Sequence, residues 1–175
     1  MSIKLIQKRN NVNIQNSTNN SNPQEVPKNF KQEKLKDGRG GTPTSIWYNP
    51  DNGDVNVEYD KSTGHYSISG NTNGIIIKGA ENGSKLVIKD GEKVQFTSGG
   101  GNNSIFFDNC TNTKAYGGKG NDNYTYIGGE DNTNYNMNVT NDTVINRQTD
   151  FKLFSPSTWA AGYSEGLKTY ISDGF

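Results

Sequence analysis

The chain has 175 residues, of which 29% are hydrophobic and 21 are glycine, and its mean hydropathy is −0.90. Its 18 basic and 18 acidic residues cancel. Globular domains usually contain about 45–50% apolar residues, so this composition predicts partial disorder and a narrow core instead of a large conventional one. The sequence has no run of about 18 apolar residues and no apolar segment near Met1, which argues against a transmembrane helix and an ordinary secretory signal peptide. The single Cys110 and the lone His65 exclude a disulfide framework, a cysteine-rich zinc site and a histidine pair.

Residues 1–41 form a basic segment rich in asparagine and serine. They carry eight basic and three acidic residues, whereas residues 42–175 carry ten basic and fifteen acidic ones, so the tail is +5 and the body −5. Few side chains in the tail can be buried to offset the entropy of ordering it. We therefore predict a disordered tail over residues 1–41 that ends in a flexible Gly38–Gly41 hinge. The tail resembles the N-termini of bacterial type III effectors in composition, which suggests an export segment, and a solvated linker is the alternative.

From about Val55 onward, short apolar runs alternate with turns rich in Gly, Asn and Asp, which indicates strands and turns. The runs form two interleaved sets, each repeating about every 19–21 residues. The first set is Ile75–Ile77, Val94–Phe96, Lys114–Tyr116 and Tyr135–Met137, and the second is Leu86–Ile88, Ile105–Phe107, Tyr124–Tyr126 and Val144–Ile145. This pattern predicts an all-β fold, a short parallel β-roll or β-solenoid of about four to five two-strand coils over residues 42–147. A small β-sandwich suits the strand spacing, but it gives no reason for turn residues to recur at the same position of each repeat.

Stacking of these coils predicts two inward columns of side chains on the second set of strands. The columns are Leu86, Ile105, Tyr124 and Val144, and Ile88, Phe107, Tyr126 and Asn146. Since only about two residues per strand point inward, the low apolar content is compatible with a folded protein, provided that ladders between coils satisfy the backbone amides. The polar Asn146 indicates that the stack is ending.

Four turns precede the second set of strands and fall in phase. They belong to Gly79–Val87, Ser98–Phe106, Gly117–Thr125 and Met137–Ile145. The segment Gly117–Thr125 reads Gly-Gly-Lys-Gly-Asn-Asp-Asn-Tyr-Thr and fills every specified place of the pattern Gly-Gly-x-Gly-x-Asp-x-U-x, where U is hydrophobic. It resembles the nonapeptide of RTX-type (hemolysin-type) calcium-binding β-roll repeats. The resemblance covers residues 79–147, with one complete repeat and degenerate neighbours.

The RTX resemblance implies a calcium site between adjacent coils. In that family the glycines permit positive φ and bring carbonyl groups near the ion, and the Asp at the sixth place supplies a carboxylate. The sixth places here are Ser84, Asn103, Asp122 and Asp142. Because calcium takes about six to eight oxygen ligands, the resemblance implies about one or two ions at most, held by Asp122, Asp142 and backbone near Gly118 and Gly120. The alternative is a metal-free solenoid whose asparagines form turn-stabilising hydrogen bonds.

Residues 148–175 differ from the repeats because asparagine disappears, and we predict a C-terminal cap there. Its apolar anchors are Trp159, Tyr163, Leu167, Tyr170 and Ile171. A cap covers the unpaired strand edges of the last coil, and Ile46–Tyr48 suits the same role at the other end. The alternative for the C-terminal segment is an export signal of the type I kind.

Four aromatic residues in the strands suit a carbohydrate-stacking platform. They are Phe106, Tyr116, Tyr126 and Tyr135. Aromatics at strand spacing, however, more often form the core or ladders between coils.

The sequence supports three functional hypotheses. The first is a secreted bacterial non-enzymatic effector or binding module with an RTX-like, calcium-stabilised solenoid, exported by a non-classical, type I or type III-like route. The second is a polysaccharide-binding or polysaccharide-active module of the kind associated with lyases and epimerases. The third is a type III-like effector that binds a host protein through a metal-free solenoid. No catalytic residue set is predicted, and the acidic body disfavours nucleic-acid binding.

Overall fold

The computed structural model describes the backbone of residues 4–7, 12–16, 23–135, 142–149, 151–155 and 167–172, and the side chains of residues 23–135, 143–145 and 153. Within these ranges the chain forms two sheets of eight strands each, together with a short 3₁₀ helix at Pro50–Asn52. No helix among the described residues is long and apolar enough to cross a membrane.

The strands of the first sheet run mostly parallel from a hairpin at one end to the N-terminal strand at the other. They are β1 (Lys4–Gln7), β5 (Val55–Asp60), β6 (His65–Gly70), β8 (Lys85–Lys89), β10 (Ser104–Asp108), β12 (Asn123–Glu130), β14 (Asp142–Thr149) and β16 (Leu167–Ser172). Their order in space is β5-β6-β8-β10-β12-β14-β16-β1. The β5 and β6 strands are antiparallel to each other, and the pairs from β6 to β1 are parallel.

The second sheet is built in the same way. Its strands are β2 (Val12–Asn16), β3 (Lys31–Lys34), β4 (Ser45–Tyr48), β7 (Ile76–Lys78), β9 (Gln95–Thr97), β11 (Lys114–Tyr116), β13 (Thr133–Tyr135) and β15 (Phe151–Ser155). Their order in space is β3-β4-β7-β9-β11-β13-β15-β2. From β7 onward the chain alternates between the two sheets, which confirms the predicted parallel β-solenoid.

The period of the coil is visible in the register of the second sheet. Ile76 lies opposite Gln95, Gln95 opposite Lys114, Lys114 opposite Thr133, and Thr133 opposite Lys152. Each step is 19 residues along the chain. The predicted strand at Tyr135–Met137 was therefore placed two residues late, because the 19-residue step from β11 leads to Thr133–Tyr135; Asn136 and Met137 lie outside the described residues.

The two predicted inward columns are both present. Leu86, Ile105, Tyr124 and Val144 are in register, as are Ile88, Phe107, Tyr126 and Asn146. The first seven of these eight side chains are buried, and the side chain of Asn146 lies outside the described set. The rings of Phe107 and Tyr126 stack at 4.7 Å with an interplanar angle of 7°, so neighbouring coils pack through aromatic faces.

Two of the inward columns change from apolar to polar residues over four successive coils. One inward column reads Ile75, Val94, Thr113 and Asn132, and another reads Ile77, Phe96, Ala115 and Asn134; all eight residues are buried. The buried amides find partners inside the solenoid: Asn132 Oδ1 accepts from the Thr113 N–H at 2.8 Å, and Asn134 Nδ2 donates to the Tyr126 hydroxyl at 2.9 Å. Hydrogen bonding is what makes such side chains tolerable in a core.

The folded part begins earlier than the predicted boundary at Gly41. The β3 strand pairs with β4, and Leu35 is buried in the core. The β1 and β2 strands also lie in the predicted disordered tail, where they pair with β16 and β15. Composition suggested disorder because the tail offers few apolar groups, but a strand at a sheet edge gains its order from backbone hydrogen bonds, which composition does not report.

The C-terminal segment is also different from the separate cap that was predicted over residues 148–175. The β15 and β16 strands continue the two sheets, with Leu153 buried opposite Asn134. The N-terminal β1 and β2 strands lie beyond them at that end of the stack. Trp159 and Tyr163 lie outside the described residues. At the opposite end, Ile46 and Tyr48 are buried on β4 beside β7, as predicted for that end.

We expect the Tyr126–Asn134 hydrogen bond to behave as a coupled buried pair. Tyr126→Phe leaves the Asn134 amide without this acceptor, while its Oδ1 has no hydrogen-bond partner among the described residues, so the variant should lose about 1–3 kcal/mol of unfolding free energy. The double variant Tyr126→Phe with Asn134→Leu replaces both partners by apolar groups and should lose less than the sum of the single variants. Urea unfolding measures all four free energies. Additive losses would show that the pair is not coupled.

Candidate functional site

The sixth places of the turns lie inside the solenoid and form a ladder of hydrogen bonds, called here the inner ladder (Ser84, Asn103 and Asp122). All three side chains are buried. Asn103 Oδ1 accepts from the backbone N–H of Ser84 at 2.8 Å, and Asp122 Oδ1 accepts from the backbone N–H of Asn103 at 2.8 Å. The Asn103 side-chain amide also donates to Asp122 Oδ1 at 3.0 Å. The Asn103 and Asp122 side chains therefore hold the backbone of the preceding coil in register.

The inner ladder begins at the end of the stack that contains β3 and β4, on residues that precede the repeats in the sequence. Thr44 donates its backbone N–H and its hydroxyl to the two oxygens of the Asp37 carboxylate. Since the hydroxyl proton of Thr44 is used in this way, the Ser84 hydroxyl is the donor in its 2.6 Å contact with Thr44 Oγ1. Ser84 Oγ in turn accepts from the Ala80 N–H at 2.7 Å. The loop before β4 is thus tied to the first turn of the solenoid.

Asp122 is a buried carboxylate whose oxygens already receive donors. Burial raises the pKa of the Asp122 carboxyl above its usual range, and the bonds from Asn103, Tyr124 and the backbone of Gly118 oppose that rise. The Tyr124 hydroxyl lies 3.4 Å from Asp122 Oδ2. A calcium ligand must offer free oxygen lone pairs, so the carboxylate fits a calcium ion only if it gives up these donors.

The rest of the predicted calcium set lies along the same edge. Gly118 and Gly120 belong to the turn that contains Asp122, and Asp142 begins the adjacent β14 strand. The backbone N–H of Thr143 donates to the Asp122 carbonyl at 2.7 Å, so the two coils are in contact there. The Asp142 side chain lies outside the described residues. Calcium binding at Gly118, Gly120, Asp122 and Asp142 stays a prediction.

The glycines of the nonapeptide have a steric role in these turns. A Cβ on Gly120 would lie 2.0 Å from the carbonyl oxygen of Gly101, and a Cβ on Gly99 would lie 2.0 Å from that of Gly79. Gly120 also has a φ of +104°, which L-residues rarely adopt. Stacked turns at this distance leave no room for a side chain, so the glycine pattern follows from coil packing whether or not an ion is bound.

The four aromatics considered as a sugar platform are not gathered on an exposed surface. Tyr126, Tyr116 and Tyr135 are buried and Phe106 is half-buried. Tyr116 and Tyr135 stack on each other at 4.7 Å and 4°, and Tyr126 stacks on Phe107. Tyr116, Tyr126 and Tyr135 thus form ladders between coils, as the alternative to a sugar platform predicted.

Cys110 and His65 have structural contacts. Cys110 is fully buried and its thiol lies 3.3 Å from the Ile88 carbonyl; burial raises its pKa to about 11, against a reactive thiolate. His65 Nε2 lies 3.1 Å from Ser104 Oγ and Nδ1 lies 3.2 Å from the Thr63 carbonyl. The His65–Ser104 contact joins residues 39 positions apart, so no local sequence motif indicated it. Among the described residues, no group of three or more His, Cys, Asp or Glu side chains is arranged to hold a metal.

A cavity that the sequence did not indicate lies beside the β5–β6 hairpin, and we call it the hairpin groove. It has a volume of about 780 Å³. Its lining includes Tyr59 and Tyr66 of the hairpin, Lys36, Asp37 and Arg39 of the loop before β4, Lys85 at the start of β8, and the turn residues Asn82, Gly83, Gly101 and Asn102. Alternating residues at Val55–Tyr59 and His65–Ile68 could have indicated the hairpin, which the sequence analysis did not predict, but nothing local indicated that the loop and the turns would face it.

The aromatic wall of the hairpin groove is fixed by the core. Tyr59 and Tyr66 lie opposite each other in the hairpin, and their ring centroids are 4.9 Å apart at 48°. Tyr66 packs against the core together with Val55 and Val57, whereas Tyr59 is 53% exposed. The groove therefore presents one accessible aromatic ring, that of Tyr59, which packs beside the core-anchored Tyr66.

Comparisons with protein-family models, with curated proteins and with solved structures find no match for this chain. The RTX resemblance accordingly remains a resemblance of the Gly117–Thr125 motif.

We expect Gly120→Ala to destabilise the protein far more than Gly53→Ala. Gly53 has a similar φ of +98°, but nothing lies within 4 Å of its Cβ position, so the control variant reports backbone strain alone, about 1–3 kcal/mol. Gly120→Ala adds the clash with the Gly101 carbonyl and requires two coils to separate. Urea unfolding gives both losses, and equal losses would refute the steric role of the motif glycines.

The inner ladder predicts different effects for two substitutions of Asp122. Asp122→Ala removes the acceptor of the Asn103 N–H and should cost about 1–3 kcal/mol. Asp122→Asn reproduces the residue found one coil earlier and should stay folded without calcium. The pKa of Asp122 is higher in the folded state than in the unfolded state, so protonation of its carboxyl stabilises the folded protein. This stabilisation is fully present below the unfolded pKa of about 3.9. It is lost as the pH rises through the pKa of the folded state. The unfolding free energy of Asp122→Asn should therefore increase relative to that of the wild type as the pH rises through this range.

Thermal melts with calcium and with EGTA, from pH 4 to pH 8, test both points. The ladder predicts the same small calcium response in wild type and Asp122→Asn. A calcium-dependent rise in Tm that only the wild type shows would instead assign the carboxylate to an ion.

Proposed function

We propose that this protein is a non-enzymatic binding module and that its ligand is a carbohydrate held in the hairpin groove. The observation that carries the proposal is Tyr59, a large aromatic side chain left 53% exposed at the wall of a cavity of about 780 Å³. Sites for small ligands usually have volumes of about 300–1,000 Å³. An exposed tyrosine offers an apolar face to the C–H groups of a sugar ring and a hydroxyl to its polar edge.

The geometry of the groove supports binding by a preformed site. The hairpin belongs to the first sheet, since β6 pairs with β8, and the Tyr59 ring packs beside the ring of Tyr66, its cross-strand neighbour. The facing turns are held by the inner ladder through Ser84 and Asn103. A site whose walls do not need ordering loses less conformational entropy when a ligand binds.

The polar groups of the groove favour holding a ligand over transforming it. The carboxylate that lines the groove, Asp37, accepts two hydrogen bonds from Thr44 and so serves the inner ladder. Asn82 donates its side-chain amide to the Gly38 carbonyl at 3.1 Å, and Asn102 Oδ1 accepts from the Asn121 N–H at 2.9 Å. These side chains have fixed positions, which suits recognition of a hydroxyl-rich ligand.

A polysaccharide array followed by calorimetry on the positive glycans tests the proposal. Tyr59→Ala should weaken binding at least about tenfold, equivalent to about 1.4 kcal/mol, while Tyr59→Phe keeps the ring and should bind within about twofold of wild type. Val26→Ala is the matched control, because Val26 is an apolar residue, 37% exposed, that does not line the groove. Circular dichroism checks that each variant is folded. Absence of glycan binding by the wild type, or unchanged binding by Tyr59→Ala, would refute the proposal.

A further inference from the structure

We infer that the hairpin groove selects an acidic sugar, whose carboxylate is held by Lys36, Arg39 and Lys85. This inference rests on the proposed function and names the class of its ligand. The three cationic side chains line one cavity together with the exposed Tyr59 ring. A uronic acid combines the two features that such a wall recognises, an apolar ring face and a carboxylate.

Arg39 is the best-placed of the three cations because its position is fixed. One terminal nitrogen, Nη2, donates to the Asn82 carbonyl at 2.6 Å and lies 3.4 Å from the Gly83 carbonyl. The guanidinium has five N–H donors, and among the described residues the donors on Nε and Nη1 are left for a carboxylate. Arg39 also has a φ of +48°, an uncommon conformation for a non-glycine residue. Its hydrogen bond to the Asn82 carbonyl connects the loop before β4 to the facing turn.

The charge of the groove is opposite to that of the surrounding body. Lys36, Arg39 and Lys85 outnumber Asp37, whose carboxylate is engaged by Thr44. Residues 42–175 as a whole carry ten basic and fifteen acidic residues. A cleft lined by one sign of charge concentrates ligands of the other sign, whereas an acidic body repels a polyanion that extends beyond the cleft. The arrangement favours a short acidic oligosaccharide over a nucleic acid.

Isothermal titration calorimetry with trigalacturonate, maltotriose, inorganic polyphosphate and single-stranded DNA tests the inference on the full chain. We expect trigalacturonate to bind at least about tenfold more tightly than maltotriose, and its affinity to fall with added salt. Lys85→Gln and Arg39→Gln should each weaken trigalacturonate binding about fivefold or more, a larger loss than either variant causes for maltotriose. Lys89→Gln is the matched control, because Lys89 is an exposed lysine at the other end of β8 that does not line the groove.

The outcomes separate this inference from the proposed function. Equal affinity for the two trisaccharides, with binding still dependent on Tyr59, would refute selection of acidic sugars and leave the carbohydrate module standing. Tighter binding of polyphosphate or DNA than of trigalacturonate, lost in Lys85→Gln, would show an anion site without sugar recognition and refute the inference. No binding of either trisaccharide, together with a negative polysaccharide array, would refute both.

Discussion

The structure depends on hydrogen bonds that run from a side chain in one coil to the backbone N–H at the same phase of the coil before it. Asn103 and Asp122 form these bonds on one edge of the solenoid, and Asn132 forms the corresponding bond to Thr113 on the opposite edge. Each bond satisfies an amide that the turn would otherwise bury without a partner. Because the donor and acceptor are 19 residues apart, the bonds also fix the length of the coil. Strand pairing alone would permit slippage by two residues with the same faces inward.

This ladder explains why so polar a chain can fold. The column that begins with Ile77 and Phe96 continues with the small Ala115 and the polar Asn134 before Leu153 places an apolar residue there again. Buried asparagine is tolerated there because each amide has at least one partner inside the stack. The close approach of coils that the ladder requires also excludes side chains from the turns, so glycine is retained where stacked carbonyls lie nearest. A glycine-rich, asparagine-rich turn is therefore a consequence of stacking.

Most of the solenoid could be predicted because the same alternation of residues and the same step recur in several coils. The columns through Leu86 and Ile88 follow from alternation and a fixed step, and both are present. The direction of the Asp122 side chain could not be predicted, since a carboxylate at that place suits both an ion and a neighbouring N–H. The boundaries at both ends were also missed, because β3 forms an antiparallel pair with β4 that precedes the repeats, and β15 continues the 19-residue step in a segment without asparagine. The hairpin groove has the same origin: Tyr59, Arg39 and Lys85 come from separate elements and meet only in the folded chain.

The most direct test of the ladder is native-state hydrogen exchange of the Ser84 and Asn103 backbone amides in EGTA, measured by NMR. Both amides lie in turns, where exchange is usually fast, but both are buried and bonded to the next coil. We predict protection comparable to that of the amides in the β8 and β10 strands, without calcium. Fast exchange in EGTA that becomes slow only when calcium is added would contradict this account. It would show that a calcium ion, and not the ladder, orders the turns.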